Sequence, residues 1–169
     1  KPDGTQKWYQ NGELVRRKMN EGVEDYGMSH RPSKTSPLHD LTEGGVIPKD
    51  IYTHPQYYAD MSSVTYQQSM KAILKCKGKP DSVVTIYRAS PRNMLNNGDW
   101  VTLSKAYAQA EARAEDSPVH SFKVRVKDVW FAGDDINEFG YWGPDIADKQ
   151  EALTENAALD IIKQELNLP

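Results

Sequence analysis

Residues 83–90 read VVTIYRAS, and this run constrains the fold more than any other stretch of the chain. Valine, threonine, isoleucine and tyrosine are strand formers because their branched or aromatic side chains fit a pleated, half-buried surface. Arg88 comes near the end of the run, and Pro91, which has no backbone N–H, stops the strand soon after. A strand needs partners, and the chain supplies them further on. VHSFKVRVKDVWFA predicts one long strand, with Phe122, Val124 and Val126 alternating with Lys123, Arg125 and Lys127. An arginine closing a strand has two readings. It is an exposed edge residue, or its planar fork meets a phosphate or carboxylate at the strand end.

Helices and turns frame these strands. In SSVTYQQSMKAILKCKG, Val64, Met70, Ile73 and Leu74 fall on one helical face, and Gly78 with Pro80 stops the helix. PRNMLNNGD is a turn-rich connection and WVTLS a short strand. SKAYAQAEARAE predicts a helix capped by Ser104. GDDINEFGYW is a turn entering another strand, and TENAALDIIKQELNL a terminal amphipathic helix capped by Thr154. Residues 22–60 are rich in proline and carry a Gly-Gly pair; a loop this long is often functional. Residues 1–20, with DG and NG turn signals around KWYQ, are expected to form a hairpin or disordered appendage to a domain over 21–169. Helices and strands in this order, with short connections, imply an α+β fold with a mixed or antiparallel sheet.

The chain has 169 residues, enough for one domain with its own core. Its net charge of −3 disfavours nucleic-acid binding by bulk charge. It has no apolar run long enough to cross a bilayer, and its opening KPDGTQKWYQNGEL has no apolar signal core. A lone cysteine, Cys76, excludes an intrachain disulfide framework, so the expected location is the cytoplasm. His30, His39 and His54 share the long loop with Asp40, Asp50 and Asp60, but without tight ligand spacing, and no metal is expected. Tyr52, Tyr57 and Tyr58 are expected to cover the core, and Trp100, Trp130 and Trp142 to pack within it. Tyr141 and Trp142, following Glu138, are candidates for the wall of a site.

Polar residues gather where the predicted strands end: Arg88, then Thr102 and Ser104, then Asp134, Asp135 and Glu138. If those strands are neighbours, an arginine, a hydroxyl and a carboxylate share one cleft. Such a set suits cleavage of a glycosidic bond, because a carboxylate beside a ribose stabilises positive charge developing on the sugar. With YRA, GDWVTLSKAYA and INEFGY in this order, the sequence resembles the ADP-ribosyltransferase superfamily, in its arginine–serine–glutamate branch of bacterial toxins and phage-encoded transferases. The resemblance covers about residues 80–145, and MSHRPS and SPLHDLT extend it less specifically upstream.

The resemblance implies a split β-sandwich of two small mixed sheets with flanking helices, and NAD as substrate. Arg88 would contact the NAD phosphate or the nicotinamide-side ribose, and the backbone of Ala89 the carboxamide. Thr102 or Ser104 would orient the catalytic Glu138, and His30 and Arg31 would meet the adenosine or pyrophosphate end. The acceptor would be a host protein or nucleic acid, reached by a phage or bacterial effector in the host cytoplasm. Three departures qualify the match. Thr102-Leu103-Ser104 stands for the family's serine-threonine-serine in either of two registers; the interval from Arg88 to Ser104 is short; and Ile136 occupies the position that carries a second acid in arginine-modifying members. Two alternatives follow: an NAD glycohydrolase, and a non-catalytic inhibitor of this fold that binds a host protein.

Overall fold

The computed structural model describes residues 30–148 and 159–166. The chain divides between Arg31 and Pro32, and the fold described here is that of the unit from Pro32 onward. The expected appendage over residues 1–20 and the Thr154 cap lie outside the described residues.

The fold is α+β, with two small antiparallel sheets. Strand β1 is Ser36–Pro37, β2 Val83–Ala89, β3 Asp99–Val101, β4 Val119–Arg125, β5 Val129–Phe131 and β6 Phe139–Tyr141. Helix α1 is Val64–Cys76 and α2 is Lys105–Glu115; residues 159–165 form a third, exposed helix, α3. One sheet pairs β2 with β4, from Val83↔Arg125 to Ala89↔Val119. The other runs β1-β5-β6-β3. Every pairing among the described residues is antiparallel, which corrects the expectation of mixed sheets. A parallel pair needs a crossover of a dozen or more residues, and the turn from β5 to β6 is far too short for one.

The long strand predicted from VHSFKVRVKDVWFA is two strands. Its partner β2 begins at Val83, so beyond Arg125 the ladder has nothing left to pair. The chain binds the preceding turn instead, Val126 N–H donating to the Ser82 carbonyl at 2.9 Å and Lys127 N–H to that of Pro80 at 2.9 Å. A 3₁₀ turn over Val126–Asp128 then carries it into the second sheet as β5.

The core gathers Ile86, Phe122, Val124 and Val126 from the β2–β4 side with Val129, Phe131 and Phe139 from the other sheet. The proline-rich stretch contributes to this core. Leu38, Leu41 and Ile51 are fully buried, and β1 pairs with β5. Tyr52 and Tyr58 pack against the core, whereas Tyr57 is exposed and stacks on His54. Helix α1 buries Ser69, Met70, Ile73 and Cys76; Val64 and Leu74, expected on that face, are exposed. The buried set follows the three-residue step of one helical stripe, and Leu74 falls outside it. Gly78 ends the segment at φ +70°, its N–H donating to the His39 carbonyl at 2.9 Å.

Gly140 in β6 permits a close approach. A Cβ there would lie 2.6 Å from Pro32 Cγ and 2.8 Å from Trp142 Nε1. Gly140→Ala is therefore expected to destabilise the fold by about 1–3 kcal/mol. Urea unfolding should show a lower midpoint at unchanged slope; an unchanged midpoint would refute the contact.

Candidate functional site

Among the described residues, one backbone bridge joins the two sheets. Tyr87 N–H donates to the Thr102 carbonyl at 2.9 Å, and Thr102 N–H to that of Tyr87 at 3.0 Å. Because successive residues of a strand point their backbone groups to opposite edges, Ala89 presents its N–H and C=O on the same edge as Tyr87. The next rung would join Ala89 to Trp100, but no bridge forms there. The strands separate, and among the described residues no backbone partner meets Ala89 on that edge.

A cleft of about 410 Å³ opens at this separation. Tyr87, Arg88 and Ala89 line it from β2, Trp100, Val101 and Thr102 from β3 and its end, and Glu138 from the start of β6. Helix α2 closes it with Tyr107, Ala108, Glu111 and Glu115, which share one helical face. Its volume is that of a small-molecule site.

Arg88 and Glu138 each have a partner. The Arg88 guanidinium donates through Nη1 to Asp99 Oδ2, which also accepts the Asn96 N–H at 2.7 Å. Asp99 thus orients the fork while its remaining donors stay available to a ligand. Burial lowers the pKa of Arg88 and the nearby Glu115 opposes this, but a guanidinium remains charged at neutral pH. Tyr107 Oη donates to Glu138 Oε1 at 2.8 Å. Burial, then that bond to Glu138, raise the pKa of Tyr107, so its hydroxyl is a persistent donor.

Helix α1 braces both sides. Gln68 Oε1 accepts from Ser104 Oγ at 3.1 Å and from Ala106 N–H at 2.9 Å, which holds the start of α2. Tyr66 Oη donates to Asp135 Oδ2 at 2.9 Å, and Ser69 Oγ to Asn137 Oδ1 at 2.7 Å, which holds the turn before Glu138. Asp135 closes that turn by accepting the Asn137 N–H at 2.8 Å through Oδ1 and the Glu138 N–H at 2.8 Å through its carbonyl.

Of the expected site residues, Arg88, Ala89, Thr102 and Glu138 line one cleft. Ser104 does not. It is fully buried, and its Oγ caps α2 by accepting the Tyr107 N–H at 3.2 Å. Thr102 Oγ1 accepts the Ser104 N–H at 3.1 Å, so the hydroxyl bonded to Glu138 belongs to Tyr107 and to neither expected residue. His30 and Arg31 are exposed residues of the preceding unit, and the cleft is built wholly from residues beyond Pro32. Trp100, expected in the core, is 41% exposed on the cleft wall. Tyr141 is buried with its hydroxyl on the Pro144 carbonyl, and Trp142 lies under Lys34, so neither reaches the cleft. Ile136 faces the core. The sequence signal for Tyr107 lay in its place one turn beyond the Ser104 cap, in line with Glu111. Asp99 carried no signal of its own.

Comparison with protein-family models, curated proteins and solved structures found no match.

The raised pKa of Tyr107 has a consequence for stability. An unfolded tyrosine loses its proton near pH 10, while the folded Tyr107 keeps it above that value. The unfolded state then binds fewer protons, so stability falls as pH rises from about 10 upward. Tyr107→Phe is expected to make that fall shallower. Urea midpoints at about pH 8 and about pH 11 measure it; parallel profiles for the two proteins would contradict the bond.

Proposed function

We propose that the chain is an NAD-dependent ADP-ribosyltransferase of the arginine–serine–glutamate type. The observation that carries this reading is the convergence of Arg88, the open backbone edge of Ala89 and the Tyr107–Glu138 pair in one cleft. Two small sheets bridged at one point, with a cleft beside the bridge, support the reading of a split sandwich. Charge also supports the nicotinamide half of the dinucleotide as occupant. Glu111, Glu115 and Glu138 line the cleft against one guanidinium, and the pyridinium ring of NAD is a cation.

Each residue has a chemical task on this reading. Ala89 supplies one donor and one acceptor, the complement of a carboxamide. Tyr87 lines the cleft and offers an aromatic face to the cationic ring. Arg88, steadied by Asp99, directs its remaining donors to the phosphate or ribose. Tyr107 holds one oxygen of Glu138, leaving the other to accept from the ribose 2′-hydroxyl. As the bond between the ribose C1′ and nicotinamide breaks, the electron pair leaves with nicotinamide and positive charge develops on the sugar. The Glu138 carboxylate stabilises that charge more than it stabilises the ground state. A nucleophile then bonds to C1′ and releases its proton. A host protein or nucleic acid as nucleophile gives transfer, and water gives hydrolysis. Ile136, standing where arginine-modifying members have an acid, points to an acceptor other than arginine.

The test is nicotinamide release from NAD, with and without cell lysate. Glu138→Gln is expected to lower release by about 10²–10³-fold at unchanged circular dichroism, and label from NAD should appear on a lysate component. Ser104→Ala is expected to cost about 1 kcal/mol of stability, as loss of a helix cap does, while release persists. Absence of release, with no NAD binding by calorimetry, would overturn the enzyme reading in favour of a binding protein.

A further inference from the structure

The ladder between β2 and β3 fails on the other side of the bridge as well. Counting back from Tyr87↔Thr102, the next rung would join Thr85 to Ser104. Ser104 is unavailable. Its N–H is held by Thr102 Oγ1 at 3.1 Å, and its carbonyl already accepts the Ala108 N–H at 3.1 Å inside α2. The chain turns into the helix, and on this edge β2 has no strand partner among the described residues. The even residues of β2 face β4, as the bond from Val126 N–H to the Ser82 carbonyl confirms at the strand's start. Val83 and Thr85 therefore direct their N–H and C=O groups away from β4, and among the described residues no backbone group meets them there.

A groove of about 460 Å³ lies along this open edge, where β3 would have continued. Helix α1 forms its far wall with Gln68, Lys71, Ala72, Lys75 and Cys76, and Leu103 and Lys105 close one end. Lys71, Lys75 and Lys105 are its charged lining residues, and the described lining carries no carboxylate. The cleft beyond Tyr87 has the opposite balance, three carboxylates to one guanidinium.

We propose that this groove binds an extended, acidic segment of a partner protein, added to β2 as a strand beside Val83–Thr85. An open strand edge alternates donors and acceptors, which a peptide backbone matches and a phosphate, with acceptors only, does not. Lys71 and Lys75, one turn apart on α1, face across the groove toward the side chains of such a strand, and Lys105 stands near its end. Hydroxyls of Ser82 and Thr85 and the side chains of Val83 and Leu103 complete a surface for alternating polar and apolar residues. The competing account is that the lysines guard an exposed edge against pairing.

The probe is a fluorescein-labelled heptapeptide of alternating glutamate and valine, followed by anisotropy. A lysine–valine heptapeptide and a single-stranded oligonucleotide of matched charge are the comparisons. The acidic peptide is expected to bind, more weakly as salt rises, and the lysine–valine peptide not to bind. Lys71→Glu with Lys75→Glu should weaken binding at least about tenfold, the equivalent of about 1.4 kcal/mol. Thr85→Pro, which removes an edge donor where proline is tolerated, should do the same. In the unaltered protein, the peptide should slow hydrogen exchange at the Val83 and Thr85 amides, a readout that needs no variant to fold. Glu138→Gln should bind the peptide as the unaltered protein does, which separates this site from the enzymatic reading. No binding of the acidic peptide would leave the lysines as edge guards and overturn the proposal. So would binding without protection of the two amides, or an oligonucleotide that binds as tightly and ignores Thr85→Pro.

Discussion

Among the described residues, two backbone hydrogen bonds between Tyr87 and Thr102 bridge the sheets, and an opening lies on either side of them. Such bonds contribute about 0.5–1.5 kcal/mol each, so the bridge matters as geometry more than as energy. It holds β2 and β3 together at one point while the strands diverge on either side. Where the chain leaves for α2, the missing rung opens the lysine-lined groove; where β2 runs on to Ala89, it opens the cleft with Arg88 and Glu138. The packing beneath the bridge keeps it in place. Ile86, Val101, Leu103 and Ala108 are all buried around it.

Helix α1 braces this divergence with hydrogen bonds on both sides. Polar side chains on its inward side replace what backbone pairing would otherwise supply. Gln68 holds the first turn of α2, and Ser69 and Tyr66 hold the turn that delivers Glu138. Ser69 and Asn137 are almost fully buried, so each would be costly without the other. The pair thus fixes the position of a turn that its own short strand could not fix alone. A carboxylate meant to meet a developing charge needs this restraint, because preorganised groups need not reorganise when the charge appears.

The electrostatic layout follows from the same arrangement. The α2 face carrying Tyr107, Glu111 and Glu115 turns to one opening, while Lys105 at its start belongs to the other. Helix α1 adds Lys71 and Lys75 to the second opening alone. A chain of small net charge therefore presents an acidic hollow and a basic one, with Tyr87 lining both. The net charge of −3 describes neither, because it sums over surfaces that the fold keeps apart.

The local elements and the order of the polar groups are legible in the residues alone. The β-branched run became β2, Ser104 became the cap of α2, and Arg88, Thr102 and Glu138 sit at or beside strand ends. Periodicity and caps act over a few residues, so these features are legible without the fold. They did not determine where a strand ends for lack of a partner, as at Arg125, or which hydroxyl meets Glu138. Thr102 and Ser104 had the better motif, but the turn into α2 spends Ser104 on a cap and brings Tyr107 to the carboxylate. Nor does the spelling of residues 83–85 show that their edge stays open, because a strand's sequence records the side chains it buries, not the neighbour it lacks. That is set in the folded chain, since pairing is a relation between distant segments, here broken where one of them turns into a helix.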